Sequence, residues 1–455
     1  MTPSTDFSTA EDLLRLLDAS QEELIAAVAS IPMEERGRLI SRLSSEARER
    51  FMMKLPKEKA AELLEGLSSQ QAEQLLSCIP AEQAAQIADE IHSNVRADIV
   101  GRMDARSMDA IMKLMEPTQA EELRELISYG KDTAGGLMIT EYLVYRDTQT
   151  VEEILSDLQA NGPKYGDYDI QYAYITDSAK VLVGVLPMRD MIFSARNRPA
   201  REVMIKNPVS VKATDSLEVL RQFFSEFRYF GVPVVDESRR LCGVLRRAAV
   251  EEAESERANT MFMRFSGIIG GEELRSMSLT TRFSRRLSFL SLNILLNIVA
   301  ASVVAFNVET LEAVIALAVF MPIISDMSGC SGNQAVAVTI RELSLGLARP
   351  KDLWYVFMKE LNVGLINGVA LGFLIALVAI LWKGNLWLGL VVGGALALNT
   401  VVAVCFGGLI PLLLKGLKLD PALVSGPLLT TITDMCGFFF VLWFASQVLE
   451  KLAGV

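Results

Sequence analysis

Two carboxylates, Asp326 and Asp434, restrict what this chain can fold into more than any other feature. Each is the only charged residue in a long apolar stretch, 313–337 for the first and 422–449 for the second. A run of about 20 apolar residues is long enough to cross a bilayer. A carboxylate at that depth costs at least ~2.5 kcal/mol unless it meets water, a partner or an ion. The surrounding residues also match: Asp326-Met327-Ser328-Gly329 and Asp434-Met435-Cys436-Gly437. Two like acid–glycine segments in two membrane helices predict a cation path.

Five spans are readable, at 287–306, 313–337, 361–382, 386–414 and 422–449. Nine basic residues flank the ends on one side: Arg282, Arg285, Arg286, Arg341, Arg349, Lys351, Lys359, Lys415 and Lys418. Only Lys383 and Lys451 flank the other. Basic loops stay inside. The chain therefore reads as a multi-pass protein of the inner (plasma) membrane, in contact with lipid. Its N-terminus and soluble part are expected in the cytoplasm and its C-terminus outside. The second span is expected to be broken, because Pro322, Asp326, Gly329, Gly332, Asn333 and Gln334 fall in it. Broken membrane helices occur where backbone lines a cavity or is buried in protein. Gly364, Gly368 and Gly372, four apart in the third span, allow close helix packing within or between subunits. Five helices are few for a complete transport path, which points to a homodimer.

Charge is uneven along the 455 residues. The first 280 carry 33 basic and 46 acidic residues, and the rest carry 11 and 9. An acidic soluble part thus precedes a nearly neutral membrane part. That balance disfavours nucleic acid, which needs a basic patch. The five cysteines form no CxxC pair and no disulfide framework. With one histidine, His92, a His-rich zinc or copper site is ruled out as a leading reading. Asp and backbone oxygens are the ligands left, and they suit Mg²⁺, Ca²⁺ or Mn²⁺. The polar, acidic N-terminus reads as carrying no signal peptide.

The first third is a repeat array. Every twelfth residue from Ile31 is apolar: Ile31, Leu43, Leu55, Leu67, Ile79, Ile91, Met103 and Met115. Eight positions on in each unit stand Leu39, Phe51, Leu63, Leu75, Ile87, Ile99, Ile111 and Leu123. The residue after the first set is Pro, Ser, His, Asp or Glu, and Glu34, Glu46, Glu58 and Glu82 follow in what would be a first helical turn. Each unit reads as a short helix plus a tight turn, and the units should stack into a superhelix. His92 falls on the cap-adjacent position and reads as structural rather than catalytic.

Beyond Lys131 the pattern changes. Strands are expected at 170–175, 181–186, 209–211, 232–235 and 241–245, with helices at 150–160 and 215–227. This order resembles a tandem CBS pair. In that family a Gly-x-x-[Ser/Thr]-x-x-Asp segment holds an adenine nucleotide. Here Gly184 to Asp190 keeps the Gly and Asp but has Pro187 for the hydroxyl, and the copy after Gly243 has no terminal Asp. Asp190 is the candidate for an ATP-type nucleotide's ribose; otherwise it caps the following helix.

The whole order of parts resembles the MgtE family of magnesium transporters. The residues that carry the likeness are Asp420 to Gly437, with Pro427 and Asp434 inside it, Pro322 to Gly329 with Gly332, Asn333 and Gln334, and Thr133-Ala134-Gly135-Gly136-Leu137-Met138. The resemblance implies an all-α short-helix superhelix at 1–132, an α+β tandem CBS pair at 133–250, a connecting, plug-like helix at 251–282 and a membrane domain of five transmembrane helices at 283–455. It also implies a homodimer in which Asp434 holds hydrated Mg²⁺ at the axis; Asp326, Gly329, Asn333, Thr430 and Gly426 are the further candidate metal-site residues of this chain. The chain departs from the family pattern at Cys330, Thr433 and Asp326, the last placing two acids per subunit in the pore. Ala248, Ala249, Thr260 and Met261 stand where the family has acids for gating by cytoplasmic Mg²⁺, leaving Glu251, Glu252, Glu254 and Glu256.

The leading expectation is passive, channel-like uptake of Mg²⁺ or a similar divalent ion, with no catalytic residues and no enzymatic activity. Alternatives are a Na⁺- or H⁺-coupled carrier and a non-transporting membrane sensor. The chain has no GxxxxGK[ST] loop and no Asp-Lys-Thr-Gly segment, which argues against an ATP-driven pump.

Overall fold

The computed structural model describes residues 18, 20–163, 165, 166, 168, 171–270, 273–275 and 277–452. It forms two compact units that divide after Arg257.

The first unit begins with short helices. After Gln21–Ser30 come Met33–Ile40, Ser45–Lys54, Lys57–Glu65, Ser69–Leu76, Ala81–Glu90, Ser93–Val100, Ala105–Leu114 and Pro117–Ser128. Their N-caps are Pro32, Ser44, Pro56, Ser68, Pro80, His92, Asp104 and Glu116, twelve residues apart throughout. Ser44, Ser68 and Asp104 accept hydrogen bonds from backbone N–H groups of the turn that follows. Such caps satisfy donors that a helix start leaves unpaired. Of the sixteen periodic apolar positions, all but Leu67 are buried, and Leu67 packs against the same core. Helices two apart in sequence pack on each other, Lys57–Glu65 on Ala81–Glu90 and that on Ala105–Leu114. The intervening helices form a second column, so the structural unit is a pair of repeats. A helix of two to three turns cannot bury its apolar face alone, and stacking supplies the missing cover.

Two βαβ modules follow. In the first, β1 (Leu143–Arg146) pairs parallel with β2 (Tyr172–Thr176) across the helix Val151–Ala160. Strand β2 then pairs antiparallel with β3 (Leu182–Pro187), which pairs with β4 (Ile205–Lys206). In the second, β5 (Val211–Lys212) pairs parallel with β6 (Gly231–Val235) across Leu217–Glu226, and β6 pairs antiparallel with β7 (Leu241–Arg246). Strands β1 and β4 are additions to the expectation. Strand β5 starts two residues later than expected, behind Pro208, which has no N–H to give a ladder. Residue 170, expected to open β2, lies outside the described residues. From β7 the chain runs directly into the helix Arg247–Phe265.

Among the described residues the second unit holds five long helices: Leu279–Ala305, Leu317–Ser344, Leu353–Lys383, Leu386–Gly416 and Pro421–Gln447. Among the described residues, four of these are long and apolar enough to cross a membrane; Leu317–Ser344 falls outside that set. The expectation of a broken second span is overturned, since Leu317–Ser344 is one continuous helix. Pro322 sits near its N-terminus, where one missing hydrogen bond is tolerated. Its glycines serve packing instead: a Cβ at Gly332 would come 2.9 Å from the carbonyl oxygen of Ala403. The glycines of the third helix act likewise inside the chain. A Cβ at Gly368 would lie 2.5 Å from Ala397 O and one at Gly372 2.6 Å from Gly393 O, so this face meets the fourth helix of the same chain. The turn between them is two residues, with Gly384 at φ +67° and Asn385 capping the fourth helix.

Candidate cation site

Asp434 lies in the middle of the fifth long helix and is half-buried. Its carboxylate Oδ1 accepts the hydroxyl of Ser325, from the second long helix. Among the described residues neither Asp434 nor Asp326 has a basic partner within ion-pair distance. Pro427 breaks the ladder two turns before Asp434, and Gly437 follows one turn after. Gly437 has no room for a side chain, because a Cβ there would lie 2.7 Å from Asn399 Nδ2.

Gly426, Thr430 and Asp434 are four apart and share one face of the fifth helix. Thr430 is exposed, and a Cβ at Gly426 would meet nothing within 4 Å. On the second helix, Pro322, Asp326, Cys330 and Gln334 form an exposed stripe, with Asn333 half-buried beside it. The structure therefore separates residues that the sequence had grouped. Ser325, not Asp326, meets Asp434. Asp326 is exposed on the neighbouring face. Gly329 turns towards the fifth helix, its added Cβ reaching Thr433 Oγ1 at 3.9 Å. Ser325, Ser328 and Asn399 were missed. Asn399 carried a usable signal, being the only amide in 386–414.

Among the described residues no three His, Cys, Asp or Glu side chains converge on a common metal position. One acid and one hydroxyl per chain cannot fill the six-fold oxygen shell of Mg²⁺, which keeps much of its own water in any case.

In the first unit, Asp190 sits in the first turn of the short helix Met188–Phe193, its carboxylate 3.6 Å from Arg189 Nε. It does not line an open cleft between the modules, whose walls include Tyr142, Tyr168, Tyr172, Tyr174, Phe230 and Arg246. Burial first, and then the nearby Cys242, push the Tyr142 phenol up to about 12. Arg246 Nε is buried without a hydrogen-bond partner. His92 caps a repeat helix, with Nδ1 2.6 Å and its backbone N–H donor 2.8 Å from Glu65 Oε1. That arrangement ties two helices and holds no open site. Glu254 and Glu256 face Arg221 and Arg102 at 3.5 and 3.2 Å. In the second unit, Arg264 Nη1 donates to Asp420, the N-cap of the fifth long helix, at 2.9 Å.

A family model described as divalent cation transporter matches residues 321–444, the segment that contains Asp326 and Asp434. Others, described as MgtE intracellular N domain and CBS domain, match 31–132 and 200–255. The magnesium transporter MgtE of Thermus thermophilus is 32% identical over 354 residues, 78% of each chain. The chain belongs to the MgtE family. The magnesium transporter MgtE of Bacillus subtilis is 29% identical over 339 residues, 74% of each chain. Among solved structures, the cytosolic domain of the Mg²⁺ channel MgtE in complex with ATP is 29% identical, with a TM-score of 0.49; the match covers 54% of this chain and 99% of that one. Like other MgtE proteins, this one joins the N-terminal helical domain to a CBS pair and a helical C-terminal region with four candidate spans.

Proposed function

We propose that the protein conducts Mg²⁺, or a similar divalent cation, passively into the cytoplasm through a homodimeric pore. Asp434 is the ion-binding group and Asp326 a second acid of the pore lining. The observation that carries this reading is the half-buried carboxylate of Asp434, which among the described residues meets a hydroxyl but no basic side chain, on a face left open by Gly426 and Thr430. Such a group is costly in a membrane unless an ion or water meets it. The exposed stripe from Asp326 to Gln334 supports a second copy: polar side chains do not face lipid, so that face needs either protein or water.

On this reading Leu317–Ser344 is the fifth span, its hydropathy lowered by the polar residues a pore wall requires. Residues 1–132 and 133–250 are then cytoplasmic regulators and 251–282 the link, with the C-terminus outside. A cysteine placed at Lys383 should react with an impermeant reagent on intact cells; reaction only after lysis would reverse the orientation.

Purified protein in liposomes tests the function directly, with Mg²⁺, Mn²⁺, Ca²⁺ and Na⁺ compared. Mg²⁺ flux driven by voltage alone supports the channel. Flux that demands a Na⁺ or pH gradient would establish a coupled carrier, and no flux at all would favour a non-transporting sensor. For a nucleotide we propose the aromatic cleft rather than Asp190: its rings offer a stacking surface and the Arg246 guanidinium in its wall a positive charge for phosphate. ATP binding lost in Tyr172→Ala and kept in Asp190→Asn supports that assignment; the reverse pattern returns it to Asp190.

A further inference from the structure

Asn399 lies in the middle of the fourth long helix with none of its surface exposed. An amide buried in an apolar helix costs free energy unless it is paired. Its Nδ2 is fully used, donating to Thr433 O at 3.0 Å and to Ser328 Oγ at 2.6 Å. Its Oδ1 has no hydrogen-bond partner. The acceptors belong to the two helices that build the candidate site. Thr433 directly precedes Asp434. Ser328 lies one turn beyond Ser325, and its hydroxyl reaches the carbonyl oxygens of Ile324 and Ser325 at 2.7 and 3.0 Å. The Ser325 hydroxyl in turn meets Asp434. Asn399, Thr433, Asp434, Ser325 and Ser328 therefore close a ring across three helices. Gly437 keeps the ring tight by leaving space for the amide.

We propose that Asn399 is a positioning residue that orients the Asp434 carboxylate towards the ion. It fixes the Thr433 carbonyl on one helix and, through Ser328, the backbone of Ser325 on the other. It touches no ion itself. The inference rests on the reading of Asp434 as the ion-binding group. Groups that orient a metal-binding side chain from behind are typically worth about 10–100-fold in affinity.

The test is a cycle of Asn399→Ala, Asp434→Asn and the double variant, each full-length and in liposomes, with flux counted per folded protein. Asn399→Ala should raise the half-saturating Mg²⁺ concentration by about tenfold, the low end of that range, with a smaller change in maximal flux. In the Asp434→Asn background the same substitution should add nothing. A packing role would lower folded yield in both backgrounds and leave half-saturation alone, which overturns the proposal. Gly437→Ala keeps the amide but crowds its Nδ2, and should reproduce the shift where Asn399→Ala folds poorly. If Asp434→Asn alone leaves flux and half-saturation unchanged, the Asp434 reading falls; if it alone has an effect and Asn399→Ala has none, only the role of Asn399 falls.

Discussion

Asp434→Asn is the most direct perturbation of the proposed pore. Asn keeps the size of Asp and still accepts the Ser325 hydroxyl through its own carbonyl oxygen, so the contact between the second and fifth helices survives. What disappears is one negative charge per chain. A hydrated Mg²⁺ held through a single water sits about 4 Å from a carboxylate oxygen. At that distance two unit charges attract by about 1 kcal/mol in bulk water and about 4 kcal/mol at an effective dielectric of 20. A divalent ion doubles both figures, to about 2 and 8 kcal/mol. Even the weaker limit lowers Mg²⁺ affinity by about 30-fold and Na⁺ affinity by about 5-fold, taking 1.36 kcal/mol per factor of ten. The Mg²⁺-to-Na⁺ preference should therefore fall by at least about fivefold per carboxylate, and by about 25-fold where two copies share one ion. Flux of both ions in liposomes, after size and thermal stability are matched to the wild type, reads this ratio. A well-folded Asp434→Asn protein with unchanged Mg²⁺ flux and an unchanged ratio would refute the reasoning.

Asp326→Asn should reduce Mg²⁺ flux less than Asp434→Asn in the same assay, because Asp326 lies off the face on which Ser325 meets Asp434. Gly368→Ala should destabilise the membrane part by about 1–3 kcal/mol, seen in thermal denaturation, since its Cβ would meet the Ala397 carbonyl. Cytoplasmic Mg²⁺ should gate the protein weakly, because Arg221 and Arg102 already face Glu254 and Glu256; strong protection of the soluble part from protease by millimolar Mg²⁺ would contradict this. Burial alone would push the Glu65 carboxyl up, but the hydrogen bonds with His92 outweigh it and hold the group below its ordinary 4.5. A depressed carboxylate stabilises the fold above that pH and stops doing so as pH falls through its folded value. Wild type should therefore melt above Glu65→Gln at neutral pH, and the gap should close in acid.

The repeat array could be read from the sequence because each unit is local: cap, first turn and buried apolar pair all fall within twelve residues. Its two-column stacking could not, since alternate units share one apolar pattern. The parallel strand β1 was missed because four residues with one buried face carry little periodicity, and its partner lies across a helix. In the membrane part, charge isolation singles out Asp434 as the candidate. Charge alone could not say which face of the second helix would meet it, and one residue along a helix turns the side chain by about 100°. That is why Ser325, not Asp326, stands at the carboxylate. Glycine and proline signalled a break, yet the helix runs through, because glycines that admit a neighbouring helix look the same in sequence as glycines that end one.

Arg264, in the helix that follows β7, grips Asp420 at the very start of the fifth long helix. Asp434 lies fourteen residues further along the same helix, about 21 Å away at 1.5 Å per residue. Pro427 falls midway between them and removes a rung of the helical ladder there. The missing rung at Pro427 thus stands halfway between the basic grip at one end of this stretch and the carboxylate at the other. With about 10 Å of helix on either side, a ten-degree bend at that point would carry the carboxylate sideways by about 2 Å, the length of one Mg²⁺–oxygen contact.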